Sequence, residues 1–138
     1  MVETNARMAQ PERHVFVYGT LRRGEANDIN RLLPGPRFVG NGVIMGVMYH
    51  LGDYPGVVLG PGGAVAGEVY VIEPALERVL DEIEEVFPQR RDEYFKREVR
   101  VTVGDRQLDC LVYEINAEYV KSRPVIAGGD WVRVKSAP

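Results

Sequence analysis

The sequence is poor in the residues on which much enzyme chemistry depends. It holds one cysteine, Cys110, among 138 residues. A single thiol can neither close an internal disulfide nor build a cysteine-rich metal site. Flanked by Leu111 and Val112, it reads as a half-buried strand residue, the usual fate of a free cysteine, and not as a nucleophile. Histidine is nearly as scarce. His14 and His50 each sit at the edge of an apolar run, and neither has a partner at a metal-ligand spacing such as i, i+4. No metal and no cofactor are therefore expected. A surplus of one charge is missing too: 17 Lys and Arg face 20 Asp and Glu, for a net charge of −3. The cations are spread along the chain, which gives no basic stripe for nucleic acid. No apolar run approaches the ~20 residues of a membrane helix. The opening stretch, residues 1–12, carries acids and no apolar core of a signal peptide. The expectation is a cytoplasmic protein with no nucleic-acid or membrane partner.

What is present is the composition of an ordinary globular domain, 45% hydrophobic and 27% charged. The length suits one domain able to bury its own core. Residues 1–13 read as a flexible N-terminal segment and 14–138 as the domain. His14 to Tyr18 is a short β-branched and aromatic run stopped by Gly19, hence a buried strand. In Arg22 to Leu33, the spacing of Ile29, Leu32 and Leu33 predicts a short helix with one buried face, ended by Pro34-Gly35-Pro36. From Arg37 to Ile72 the pattern is β-like. Asp53-Tyr54-Pro55-Gly56 and Gly60-Pro61-Gly62-Gly63 read as turns. Glycines inside these strands predict bulges or close backbone approach in a curving sheet. Pro74 to Val86 is the clearest helix, with Leu76, Val79, Leu80, Ile83 and Phe87 at helical spacing. Phe95, Val99, Val101 and Val103 then alternate with polar residues, Arg97 interrupting the apolar face. With the strand from Leu108 to Ile115 they predict a hairpin turned at Gly104-Asp105. Ala117 to Lys121 reads as one helical turn, and Gly128 to Trp131 as a tight turn. The regular alternation of a doubly wound sheet is absent. The pattern predicts an α+β fold: a small, mixed, largely antiparallel β-barrel with flanking helices.

Two places could carry chemistry. A strand that ends in Tyr18-Gly19-Thr20 exposes successive backbone N–H groups, which can cradle carboxylates or oxyanions. A glycine there lets a ligand approach the backbone. A plain turn with a threonine cap is the competing reading. The second place is the helix, with Glu77, Asp81, Glu82, Glu84 and Glu85. At roughly 100° per residue, Asp81, Glu82 and Glu85 point away from the apolar direction, and Glu84 falls roughly 80° from Leu76, at its border. Glu77 lies only slightly further out, so direction alone does not separate the two. A partly desolvated carboxylate at that border has a raised pKa and suits acid/base work.

Together these places resemble the γ-glutamylcyclotransferase-like family, including its γ-glutamylamine cyclotransferase and AIG2-like branches. The likeness runs from Val15-Phe16-Val17-Tyr18-Gly19-Thr20-Leu21-Arg22 through Tyr54-Pro55-Gly56, Gly67-Glu68-Val69-Tyr70, Leu80-Asp81-Glu82-Ile83-Glu84, Tyr94-Phe95-Lys96-Arg97 and Leu111-Val112-Tyr113 to Gly129-Asp130-Trp131. Their order and spacing carry it. The resemblance implies a lyase-type cyclisation of a γ-glutamyl amide to 5-oxoproline and a free amine, without metal or cofactor. It implies that Glu84 moves protons. Substrate contacts are implied for Tyr18, Gly19, Thr20, Leu21, Arg22, Tyr54, Tyr94 and Tyr113, in a monomer or weak homodimer. Members often carry glycine after the glutamate, whereas Glu85 and Val86 follow here. The stretch from Glu85 to Glu93 is also longer and more polar, which bears on substrate choice. A non-catalytic binding module, or an enzyme removing a γ-glutamyl protecting group from a pathway intermediate, remains the alternative.

Overall fold

The computed structural model describes residues 12–83 and 93–136. Five strands, β1 (Arg13–Val17), β2 (Arg37–His50), β3 (Pro55–Ile72), β4 (Tyr94–Val103) and β5 (Arg106–Ile115), close into a barrel in the order β1-β3-β2-β4-β5. Every pairing is antiparallel except β1 with β5, where His14 and Val15 lie opposite Cys110 and Leu111. This is the mixed, largely antiparallel barrel the sequence predicts.

The period of two along β1 sends its side chains into two cores. Val15 and Val17 join Leu76 and Leu80 of helix α1 (Pro74–Ile83), together with Tyr94, Tyr113 and Ile115. Phe16 and Tyr18 join residues from all the other strands, among them Met48, Val69, Val101 and Val112. A strand buried on both faces must be apolar throughout, which is why residues 15–18 read as one continuous run. Trp131, at the start of helix α2 (Trp131–Ser136), joins that second core. The sequence pattern marked only a turn here and missed α2. Cys110 is fully buried on β5, and burial, with Asp109 and Glu98 nearby, pushes its thiol up to about 12. It is more buried than expected and inert as a nucleophile.

Two other expectations need correction. Arg22 to Leu33 is a chain of turns with a single 3-10 turn, Ile29–Arg31. Gly24 takes a left-handed φ of +82°. Asp28 accepts the N–H groups of Gly24 and Asn30 at 2.8 and 2.9 Å. Both features favour turns over helix continuation. Gly60 to Gly63 does not reverse the chain either. Met45 pairs with Ala64 and the next residue, Gly46, with Leu59. The four residues between 59 and 64 bulge out of one long strand, and Gly60 at φ +127° helps to make that excursion possible. The helical turn expected at Ala117 is present as Ala117–Val120. Among the described residues no helix is long and apolar enough to cross a membrane.

Candidate functional site

The end of β1, the start of β3 and the first residues of β4 converge on one cavity of about 300 Å³. Its wall includes Tyr18, Gly19, Thr20 and Leu21 from the loop after β1, Tyr54 and Pro55 from the entry to β3, and Ile83 from the end of α1. Glu93, Tyr94 and Tyr113 complete the β4–β5 side. The structure thus brings together every substrate-contact residue named from the sequence except Arg22. Glu84 follows Ile83 directly in the chain but lies outside the described residues, as does the segment up to Asp92.

The loop is held by its carbonyl groups. Gly19 O accepts from Arg22 N–H at 3.0 Å, Thr20 O from Asn27 N–H at 2.9 Å and Leu21 O from Ile29 N–H at 2.9 Å. These bonds use the loop's acceptors and not its amides, the groups an oxyanion would need. Asn27 Nδ2 also donates to Thr20 Oγ1 at 3.1 Å and so fixes that side chain. Gly19 is required for a reason not visible in the sequence. A Cβ there would come within 2.8 Å of the Pro55 ring. The glycine therefore lets two walls of the cavity touch.

The tyrosines are walls with anchored hydroxyls. Tyr18 OH donates to Tyr113 O at 2.6 Å and receives Val57 N–H at 3.3 Å. Tyr94 OH donates to Pro55 O at 3.2 Å. Tyr113 OH donates to Asp81 Oδ1 at 2.8 Å. Tyr54 OH donates to Glu93 Oε2 at 2.6 Å. The rings thereby become rigid apolar surfaces of the kind that shape small-ligand pockets.

Two carboxylates were not anticipated. Asp81 points away from the apolar direction of α1, yet it is buried. Lys96 of β4 reaches it at 2.9 Å and also binds Glu77 at 2.6 Å, while Arg13 of β1 binds Glu77 at 3.2 Å. A helical projection gives direction about one axis and does not foresee cations arriving from neighbouring strands. Despite partial burial, the two carboxylates hold the Lys96 ammonium above its ordinary pKa. Glu93 sits in a stretch that reads as uniformly polar, yet it is only 6% exposed and lines the cavity. Its signal was non-local: Tyr54, a residue far away in sequence, covers it.

Arg22 turns the other way. Its Nε meets Glu68 Oε2 at 3.1 Å and its Nη1 meets Asp130 Oδ1 at 2.9 Å. It ties the loop to β3 and to the residue before α2 instead of facing the cavity. His50 receives Gly52 N–H on Nδ1 at 3.1 Å and packs edge-on against Trp131, a structural setting. Among the described residues no group of three His, Cys, Asp or Glu could hold a metal ion.

Comparison with known proteins gives a consistent picture. Residues 15–133 match the family model described as "Gamma-glutamyl cyclotransferase, AIG2-like". The chain is 33% identical over 126 residues to the γ-glutamylcyclotransferase family protein YtfP of Escherichia coli (strain K12), covering 86% of this chain and 95% of that one. It superposes on the crystal structure of an AIG2-like protein from Mus musculus with a TM-score of 0.70 at 25% identity, covering 88% and 89% of the two chains. YkqA from Bacillus subtilis gives a TM-score of 0.71 at 27% identity; 92% of this chain matches, but it spans only 44% of YkqA.

Proposed function

Since the chain belongs to the γ-glutamyl cyclotransferase, AIG2-like family, we propose that it converts a γ-glutamyl amide to 5-oxoproline and a free amine. The observation that carries this reading is the convergence of Tyr18 to Leu21, Tyr54, Tyr94 and Tyr113 on one cavity of about 300 Å³. That volume is at the lower end of the range for small-molecule sites, roughly 300–1,000 Å³.

The chemistry follows from the substrate. Its α-nitrogen is the nucleophile, so no Ser–His or Cys–His set is needed. Glu84 accepts a proton from the α-ammonium, and the freed amine attacks the γ-carbonyl carbon. Amides of the Gly19–Thr20–Leu21 loop hold the oxygen that becomes negative. Collapse of the tetrahedral intermediate closes the lactam and breaks the bond to the departing nitrogen. Overall, two protons pass from the α-ammonium to that nitrogen, which leaves as an ammonium ion. Glu84 hands its proton on and is regenerated. The tyrosine walls fold the glutamyl chain for attack, and effective molarities of ~10⁵–10⁸ M in such ring closures account for much of the acceleration. The role of Glu84 rests on the Leu80-Asp81-Glu82-Ile83-Glu84 pattern and on Ile83, its neighbour in the chain, lining the cavity. No step needs a metal ion.

A panel of γ-glutamyl amides tests the proposal by detection of 5-oxoproline. Glu84→Gln keeps the side chain's size and removes the base, so turnover should fall by a factor on the order of 10² or more with folding and binding intact. Binding without turnover in the unaltered protein would make it a binding module. Turnover unchanged in Glu84→Gln would remove that residue from the mechanism.

A further inference from the structure

Among the described residues, the cavity wall contains two acids, Glu93 and Asp53, and no Lys, Arg or His. Glu93 is the better placed of the two. It is 6% exposed, whereas Asp53 is exposed. Tyr54 OH holds Oε2 at 2.6 Å, and Oε1 has no hydrogen-bond partner among the described residues. No fully buried side-chain oxygen among them is left unsatisfied. The second oxygen therefore keeps access to open space, and the space beside this buried residue is the cavity.

A carboxylate in this setting is arranged to receive a cation. A buried anion without a countercharge is costly, and the described wall supplies none. Its hydroxyl partner fixes the carboxylate's orientation without neutralising it. The site would repel a departing group that carries a carboxylate, as an amino acid does, and attract one that carries an ammonium. We propose that Glu93, oriented by Tyr54, is a specificity-determining residue that selects γ-glutamyl amides whose departing amine bears a second positive charge. This rests on the cyclisation reading and narrows its substrate class from γ-glutamyl compounds at large to the monoamides of diamines and their like.

Two substrates of equal length isolate the effect: the γ-glutamyl monoamides of 1,4-diaminobutane and of butylamine, which differ by one terminal ammonium. In the unaltered protein, kcat/KM should favour the diamine amide by about tenfold or more, the size expected of a charge-assisted hydrogen bond in a buried site. In Glu93→Gln that ratio should fall toward one, with the melting temperature retained. In Tyr54→Phe it should fall part of the way, and this variant carries the test if Glu93→Gln does not fold. A ratio near one in the unaltered protein, or one unchanged in the variants, overturns the proposal. If no amide yields 5-oxoproline, the cyclisation reading itself fails, and calorimetry then decides on the subsite alone. Butylamine, an ammonium ion at neutral pH, should bind more tightly than uncharged 1-butanol, and Glu93→Gln should abolish the difference. Equal binding, or none, overturns the subsite.

Discussion

Glu68 and Glu93 are the same residue type with nearly the same exposure, 7% and 6%, and they do opposite work. Glu68 is saturated. Its Oε2 takes Arg22 Nε at 3.1 Å, and its Oε1 takes Arg23 N–H and Tyr70 OH, each at 2.9 Å. Burial pushes the Tyr70 phenol up to about 12, so it remains a donor at neutral pH. Glu93 has one described donor, Tyr54, and it borders the cavity. The difference teaches that burial alone does not mark a functional acid. The count of donors already committed to it does. Glu68 holds the loop after β1 onto β3, and Glu93 keeps capacity for a ligand.

The sharpest way to break that comparison is to truncate each acid. Glu68→Ala removes one of the two carboxylates that hold the largely covered Arg22 guanidinium, leaving it Asp130 alone, and also strips Arg23 N–H and Tyr70 OH of their acceptor. It should cost about 3–5 kcal/mol in urea denaturation, the penalty for opening a buried ion pair. Glu93→Ala loses a single hydroxyl bond and should cost about 1 kcal/mol in the same experiment. Equal losses would erase the distinction. Gly19→Val falls between. Its side chain would drive into the Pro55 ring, for an overpacking cost of about 1–3 kcal/mol. It should also weaken γ-glutamyl binding, because Pro55 forms part of the cavity wall and accepts the Tyr94 hydroxyl. Normal stability together with normal binding would show that the contact relaxes freely. The smallest effect belongs to the exposed pair Lys121–Glu118 at 2.9 Å. Lys121→Ala should change stability by less than about 0.5 kcal/mol, as exposed ion pairs do. A larger loss would undercut the use of burial to rank these interactions.

Much of the fold was legible because its strands obey local rules. Alternation located β4, the turn at Gly104-Asp105 located β5 as its returning strand, the uninterrupted run located β1, and helical spacing located α1 through Ile83. The failures came where partners are remote. Gly60 to Gly63 has the composition of a turn, but Gly46 and Met45 on β2 keep the strand going past it. Arg22 directly follows the Tyr18–Leu21 loop in sequence, yet Glu68 and Asp130 draw it away from the cavity. Asp81 looked solvated until Lys96 and Tyr113 were brought to it by the barrel. The loop stood out by its own strand-and-glycine pattern, and Tyr54, Tyr94 and Tyr113 were found through resemblance to a family pattern. Glu93 carries no such pattern, and only the closed barrel shows that Tyr54 covers it.

The account's central claim is an intramolecular attack inside this cavity, and the source of the product's oxygen tests it most directly. The reaction is run on a γ-glutamyl amide in ¹⁸O-labelled water, and the products are read by mass spectrometry. The account predicts unlabelled 5-oxoproline and an equimolar amount of free amine, because the nucleophile is the substrate's own nitrogen. Glutamate carrying ¹⁸O in its γ-carboxylate would mean that water is the nucleophile, and would contradict it.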